Sequence, residues 1–494
     1  MSEETSFIYD LGVVGLGYVG LPLAVESANR NLSVLGFDID ESRINDINKG
    51  LSPIEDVSDS ELADVLKNFT ATSDSSKLAN CNNVVISVPT PLTDYQPDLS
   101  YVISAAKAVG ENLVKNQVII LESTTYPGTT IEVLIPNLEK YSGLKAGDDF
   151  FVGYSPERID PGNQEWKFKN TPKVISGIDA NSLEKIKIFY ESIIDETVIV
   201  NGTKEAEMVK LLENTYRHVN IALINELAML CKMLEIDIWE VVNAAKTKPF
   251  GFQSFTPGPG VGGHCIPVDP EYLSFKTRQI GKPVRFVELA QEINNSMPSY
   301  VVTRVSELLN SKDKILKNSK ILILGVAYKK DISDMRESPA LDIIELLIEK
   351  NSDVSFYDPF VDNVVISDTN VTKELSVGNF KNYDMLLVLT PHTQFADINF
   401  EEFENIVLIL SGVLIGVLVG ALPGLSSPMA IALLIPFTIS LDPVAAISMM
   451  AALYCAGTFG GSITAILINA PGAPPAVATA LDGYPMAKNG EPGR

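Results

Sequence analysis

Basic charge, histidine and cysteine are all scarce in this chain of 494 residues, and each shortage rules something out. With 38 Lys and Arg against 62 Asp and Glu, the formal net charge is -24. A surface of that sign does not grip nucleic acid, whose phosphates need a basic face. It leaves room for a phosphorylated small ligand, which backbone amides and a few local cations in a cleft are enough to hold. The four cysteines, Cys81, Cys231, Cys265 and Cys455, stand far apart with no CxxC pair. Neither a disulfide framework nor a zinc site is indicated, and a reducing compartment fits. Three histidines, His218, His264 and His392, share no metal-ligand spacing, so no metal is expected. The opening MSEETSFIYD lacks the basic and apolar regions of a secretory signal, and the part of the chain that follows it is expected to be cytoplasmic.

Charge of either sign disappears late in the chain. No Asp, Glu, Lys or Arg occurs between Glu404 and Asp442, nor between Asp442 and Asp482. Both stretches are rich in Leu, Ile, Val, Ala and Gly and exceed the roughly 20 residues needed to cross a bilayer. Residues 411–494 therefore read as a tail that contacts the membrane.

The length points to about three domains of ordinary size. The segment IYDLGVVGLGYVGLPLA runs from an apolar strand through a glycine turn into a helix, the start of a βαβ unit. A second strand, LSVLGFDID, ends in acids. The runs NNVVISV, QVIILES and DFFVGYS have the length and bounding residues of buried parallel strands. Residues 1–200 are expected to form one doubly wound domain. From Lys204 to Met233 the pattern is helical with no Gly or Pro, and a loop rich in both follows in FTPGPGVGGHCIPVDP. This places a helical linker and loop over 201–312. Strand patterns return in KILILGVAY, DVSFYDP and DMLLVLT, with a helix from SPALDIIELLIEK, giving a second α/β domain over 313–410. The expected fold is α/β: two Rossmann-like doubly wound domains joined by a long helix, followed by a hydrophobic helical tail of membrane type.

Gly15, Gly17 and Gly20 sit directly after a strand and open a helix, the setting a dinucleotide fingerprint requires. The first permits the tight turn, the second lets a pyrophosphate approach the backbone, and the third allows close helix packing. Asp38 ends the next strand, where a carboxylate accepts hydrogen bonds from a ribose 2′-hydroxyl and so favours NAD over NADP. A glycine turn alone is commonplace; the strand, the helix and the acid together support the cofactor reading. Cys265 lies in a loop with Gly258, Gly260, Gly262 and Gly263, whose missing side chains allow close approach of backbone to a ligand. A lone cysteine is more often a small buried hydrophobe, but such residues sit in strands and helices rather than glycine loops. Asp269 follows four residues on. Lys210, Asn214 and Arg217 fall at i, i+4 and i+7 of the linking helix and share one stripe, a pattern that also arises as a solvated helix face.

The segments GLGYVGLPLA, SVPTPL, ESTTYPG, YSPERIDPG, KLLENTYRHVNIALINE, PGPGVGGHCIPVDP and GVAYKKDISDMRESPA occur in one order over residues 5–408. They resemble the successive motifs of the UDP-glucose/UDP-N-acetylhexosamine 6-dehydrogenase family. SPERIDPG with PFGFQSFTPGPGVGGHCIPVDP is more similar to the enzymes acting on UDP-N-acetylglucosamine and UDP-N-acetylmannosamine, of which the former is favoured, than to UDP-glucose dehydrogenases. The resemblance implies a four-electron oxidation of the sugar C6 alcohol to a carboxylate with reduction of two NAD molecules. Cys265 would carry a thiohemiacetal and then a thioester. It implies that Lys210 and Asn214 stabilise the oxyanion, with Lys210 also moving protons, and that Asp269, Glu157 and Thr124 assist proton transfer or position water. Arg158, Arg217, Gly262, Tyr328 and Lys329 match contacts to the nucleotide sugar. Gly15, Gly17, Tyr18, Val19, Gly20, Asp38, Arg43, Thr90 and Arg336 match contacts to NAD. The linking helix resembles the family's dimer interface, so a homodimer or larger assembly is expected.

The pattern breaks near the end. The family closes its second α/β domain with a strand, an Asp-x-Arg element and a last helix, whereas ENIVLIL here runs into SGVLIGVLVGALPGLSS. A basic residue that the family supplies to the UDP end is missing. The tail is similar to an early part of the large membrane subunit of tripartite tricarboxylate transporters, whose Gly- and Pro-broken segments suit a transporter. Besides the oxidoreductase, two other functions follow as expectations: a membrane transport component resting on the tail alone, and an inactive fusion or NAD-binding module if the truncated domain cannot close.

Overall fold

A computed structural model describes residues 7–54, 56–93, 96–159, 163, 165–263, 266–398, 400 and 406–409. The chain separates into two compact units. One takes in the described residues of 1–238, 244–394 and 399–410, and the described segments 239–243 and 395–398 belong to the other. The tail read as membrane from 411 onward lies outside the described residues. Among the described residues no helix is long and apolar enough to cross a membrane.

The short apolar runs of the first half become strands with both faces covered, as buried parallel strands must be. Successive side chains point to opposite faces. Val118 and Ile120 accordingly enter one hydrophobic core with Leu21, Leu23 and Phe189, while Ile119 and Leu121 enter another with Val102, Val109 and Leu138. The sheet has eight strands. Its spatial order is Thr197–Ile199, Lys173–Gly177, Phe151–Tyr154, Val118–Leu121, Cys81–Ile86, Tyr9–Val14, Val34–Phe37 and Phe69–Thr72. The chain runs outward from Tyr9–Val14 to one side, then returns to Cys81–Ile86 on the other. That reversal opens a crevice at the carboxyl ends of the two strands, the usual ligand site of such sheets. One pair breaks the parallel pattern: Phe151–Tyr154 and Lys173–Gly177 run antiparallel, with Gly153 opposite Gly177 and Tyr154 opposite Ser176.

The linking segment is a single helix, Thr203–Met233, of 31 residues. It packs against a second long helix, Arg285–Asn310. A second, all-parallel sheet follows in the order Thr372–Lys373, Asp353–Tyr357, Lys320–Leu324, Met385–Val388 and Ile406–Ile409.

The two sheets share a local device at their first strand. Gly15 N donates to Phe37 O at 2.8 Å and Leu16 N to Asp38 Oδ2 at 2.8 Å. Gly325 N donates to Tyr357 O at 3.0 Å and Val326 N to Asp358 Oδ2 at 2.8 Å. Both glycines have positive φ, 94° and 82°, which only glycine adopts without strain. In each sheet an aspartate ending the second strand thus fixes the turn leaving the first. The buried His392 adds a further bond to Asp358, with Nε2 at 3.0 Å from Oδ2.

Candidate active site

The glycine turn lies in the crevice with the geometry the fingerprint needs. A Cβ at Gly15 would stand 2.7 Å from Ser87 O, and one at Gly20 only 1.9 Å from Gly15 O. At Gly17, by contrast, no described protein atom lies within 4 Å of that position. The outer glycines are required by the protein, and the middle one leaves backbone open to a ligand. Val19 precedes the helix Gly20–Asn29, and the Arg336 guanidinium stands 4.6 Å from the ring centroid of Tyr18. Arg336 is held by both carboxylate oxygens of Asp334. Asp38 is buried and does more than the sequence indicated. Besides Leu16 N, it accepts from Asp40 N at 3.0 Å and from Arg43 Nη1 at 3.0 Å. Three of its roughly four lone-pair directions are therefore filled by the protein itself. Thr90, also buried, accepts a 2.9 Å hydrogen bond at its carbonyl from the Tyr272 hydroxyl.

The stripe on the long helix grades from core to solvent. Lys210 is buried, Asn214 is half-buried and Arg217 is exposed. Asn214 Nδ2 donates to Asp269 Oδ2 at 2.5 Å, and Asp269 begins the helix Asp269–Gln279. Burial pushes the Asp269 carboxyl up to about 6, offset in part by the Lys210 charge and the Asn214 bond. Three residues before Lys210, the fully buried Glu207 accepts from Gly128 N, Thr130 N and Thr130 Oγ1. It ties the loop carrying Thr124 to the same helix. Burial raises its carboxyl despite those bonds.

Glu157 belongs to this cluster. Its Oε1 accepts from the N–H groups of Arg158 and Ile159, each at 2.7 Å, and its Oε2 lies 2.9 Å from Lys173 Nζ. Burial works to raise this carboxyl, but Lys173, the Ile159 amide and Lys210 outweigh it and hold it below the usual value. The Lys210 charge thus acts on both Glu157 and Asp269. Arg158 donates to Pro172 O at 2.7 Å and pairs with Glu213, beside Asn214, at 2.7 Å.

His264 and Cys265 lie outside the described residues. The loop leading to them is fixed at two points: Gly258 N donates to Asn225 Oδ1 at 2.9 Å, and Gly263 N to Arg336 O at 3.1 Å. A Cβ at Gly262 would stand 2.7 Å from Tyr328 Cβ, and one at Gly263 2.7 Å from its ring. These two glycines permit a close approach of the loop to Tyr328. Beside them a cleft of about 200 Å³ is lined by Gly260, Gly262, Tyr328, Lys329, Pro339 and Thr390 among others. Sequence reasoning did not single out Glu207, Lys173 or Glu122. Glu207 falls on the Lys210 stripe at i−3 and was open to detection, whereas the other two depend on strand direction. Among the described residues, no group of three or more His, Cys, Asp and Glu is placed to hold a metal.

Three domain models of the UDP-glucose/GDP-mannose dehydrogenase family match the chain in succession. The NAD binding domain covers 9–194, the central domain 204–296 and the UDP binding domain 322–415. The tripartite tricarboxylate transporter TctA family matches 406–494, so both kinds of model claim 406–415. The chain is 36% identical over 398 residues to UDP-N-acetyl-D-glucosamine 6-dehydrogenase of Pseudomonas aeruginosa, covering 80% of this chain and 93% of that one. It is 34% identical over 419 residues to UDP-N-acetyl-D-mannosamine dehydrogenase of Methanococcus vannielii, covering 84% and 93%. The solved UDP-D-ManNAc dehydrogenase of Pyrococcus horikoshii superposes with a TM-score of 0.76 at 33% identity, covering 82% of this chain and 96% of that one.

Proposed function

For a chain that belongs to the UDP-glucose/GDP-mannose dehydrogenase family and carries its NAD binding domain, we propose twofold oxidation of the C6 alcohol of UDP-N-acetylglucosamine to the carboxylate. The observation that carries this reading is that Asn214 bonds the buried Asp269 at 2.5 Å from the same helix stripe that buries Lys210. Asp269 itself lies four residues from Cys265 in the chain. Relatives named for UDP-N-acetylglucosamine are 36% and 37% identical, against 33% to 34% for those named for UDP-N-acetylmannosamine, which favours the former substrate over the latter.

The chemistry explains why these residue types are together. Two NAD molecules in succession would each accept one hydride. Gly15, Gly17, Tyr18, Val19, Gly20, Asp38, Arg43, Thr90 and Arg336 would hold each in turn, with the open backbone at Gly17 facing the pyrophosphate. Loss of a hydride from C6 and a proton from its hydroxyl leaves an aldehyde. The Cys265 thiolate adds to its carbon, and the Lys210 ammonium and Asn214 amide stabilise the resulting oxyanion. A second hydride loss gives a thioester, which water cleaves to the carboxylate and free thiol. A carboxyl at about 6 exchanges protons readily near neutrality, so Asp269 suits the proton transfers. Glu157, held ionised, and Thr124 orient the water. Arg158, Arg217, Gly262, Tyr328 and Lys329 bind the nucleotide sugar in this reading, and the last three line the cleft beside the cysteine loop.

The working division is 1–200 for NAD, 201–312 for the linker and cysteine loop, 313–410 for UDP, and 411–494 as a transporter-like fragment. Leu212, Tyr216, Leu223, Leu227 and Leu230 are exposed along the long helix at helical spacing, which fits burial against a second copy of the chain. The shared claim of two family models on 406–415 supports reading the tail as a fusion of unrelated sequences. Mass spectrometry of the native protein tests that: peptides crossing Leu408 to Gly412 exist only if the fused chain is made. Comparing kcat/KM for the three UDP-sugars, by NADH release, tests the substrate. A clear preference for UDP-N-acetylmannosamine or UDP-glucose refutes the choice.

A further inference from the structure

Behind Glu157 lies a buried charged unit that the proposed chemistry does not use. Lys173 is the first residue of the strand Lys173–Gly177, Glu122 follows Val118–Leu121, and Tyr190 lies on the helix Ala180–Glu191. Lys173 is 3% exposed and Glu122 1%. The ammonium lies 2.8 Å from Glu122 Oε1 and 2.9 Å from Glu157 Oε2. The Tyr190 hydroxyl donates to that same Glu122 oxygen at 2.5 Å. The rings of Phe168 and Tyr190 flank the ammonium, each centroid 5.5 Å away.

Strand direction explains how a lysine reaches this place. The six strands from Phe151–Tyr154 to Phe69–Thr72 all deliver their last residue to the ligand edge. Because Lys173–Gly177 runs antiparallel to Phe151–Tyr154, it delivers its first residue there. Continuing the register of Gly153 with Gly177 and Tyr154 with Ser176 sets Glu157 opposite Lys173. The residue before it also takes part, since Pro172 O accepts from Arg158 Nη1. One dipeptide, Pro172–Lys173, therefore holds both Glu157 and Arg158.

We propose that Lys173 is a positioning residue of the oxidation site, fixing the Glu157 carboxylate through its ammonium and Arg158 through the preceding carbonyl, while Glu122 and Tyr190 hold the ammonium itself. The inference rests on the role given to Glu157 above. Glu157 faces two cations, Lys173 and Lys210, and two amide donors; Lys173 faces Glu122, Glu157 and two rings; Glu122 faces Lys173, Tyr190 and the like charge of Glu157. Removing the ammonium leaves two buried carboxyls with no cation between them, and one must take up a proton.

The test uses the full chain carrying ¹³C-labelled glutamate, with Glu157→Gln identifying the Glu157 carboxyl signal. In the unaltered protein that signal titrates below the ordinary glutamate range. In Lys173→Met it moves up by at least one pH unit. In Glu122→Gln, which keeps the shape and removes one competing charge, it moves down. Turnover is read in parallel: kcat of Lys173→Met falls at least tenfold, KM for the UDP-sugar changes less than threefold, and Lys173→Arg recovers most of the rate. A Glu157 titration unchanged in both Lys173→Met and Glu122→Gln overturns the proposal, as does full kcat in a folded Lys173→Met. An unaltered chain that binds NAD but oxidises no UDP-sugar refutes the proposed function instead, and the titration still decides the placement of Lys173.

Discussion

Replacing Asp269 by Asn is expected to stabilise the protein while abolishing its turnover. The carboxyl is 3% exposed, and burial raises it from 3.8 to about 6. Ionising it in the folded state therefore costs about 3 kcal/mol more than in the unfolded chain, at about 1.4 kcal/mol per tenfold in the proton equilibrium. An acid raised in this way contributes stability that is complete below the unfolded value near 4. That stability is lost as pH climbs through the folded value near 6. At pH 8 the native protein bears the whole cost. The amide of Asp269→Asn, uncharged at every pH, bears none and still accepts the Asn214 bond. Loss of the carboxylate leaves Lys210 without one of its two anionic neighbours, so the measured gain is expected to lie below the full 3 kcal/mol. Unfolding in urea, followed by fluorescence at pH 4, 6 and 8, reads both terms. The native protein should lose stability across pH 4 to 6 by more than Asp269→Asn does, and the variant should be the more stable at pH 8. A variant that is less stable than the native protein at pH 8, with the same dependence on pH, refutes the argument.

Other consequences are as direct. Cys265→Ser keeps NAD binding and loses the second oxidation, so full conversion of UDP-sugar to the acid at the native rate removes the thioester from the mechanism. Gly20→Ala drives a methyl to 1.9 Å from Gly15 O and 2.5 Å from Ser87 Oγ, a collision exceeding the about 1–3 kcal/mol usual for overpacking. Gly17→Ala meets no such atom, so calorimetry should show little lost melting temperature and titration a weaker affinity for NAD. Equal destabilisation by the two contradicts the assigned glycine roles. Leu223→Glu with Leu227→Glu should convert a dimer to monomers in sedimentation; an unchanged mass places the interface elsewhere.

Much of the glycine turn was legible because its constraints are local. Gly15, Gly17 and Gly20 belong to one turn and one helix start, so their spacing alone carries the geometry. The repeat of that turn in the second sheet was also on view, in GVAY followed by FYDP, although its meaning depends on Asp358 reaching Val326 across neighbouring strands. Lys173 and Glu122 were not legible. The run KVISG is buried along its whole length, and such a run states burial without direction, yet direction decides which end of the strand meets Glu157. The packing of Gly262 and Gly263 on Tyr328 was hidden for a related reason: a loop glycine shows that something comes close, not whether it is ligand or protein.

If one active site built around Cys265 carries a UDP-sugar through both oxidations, its stoichiometry is fixed. Counting NADH formed per UDP-N-acetylglucosamine consumed by the full chain, with the sugar product identified by mass, reads it. Two NADH and one UDP-N-acetylglucosaminuronate per sugar are expected, with no free aldehyde accumulating. One NADH per sugar with release of the aldehyde, or no NADH despite bound NAD, contradicts that single site.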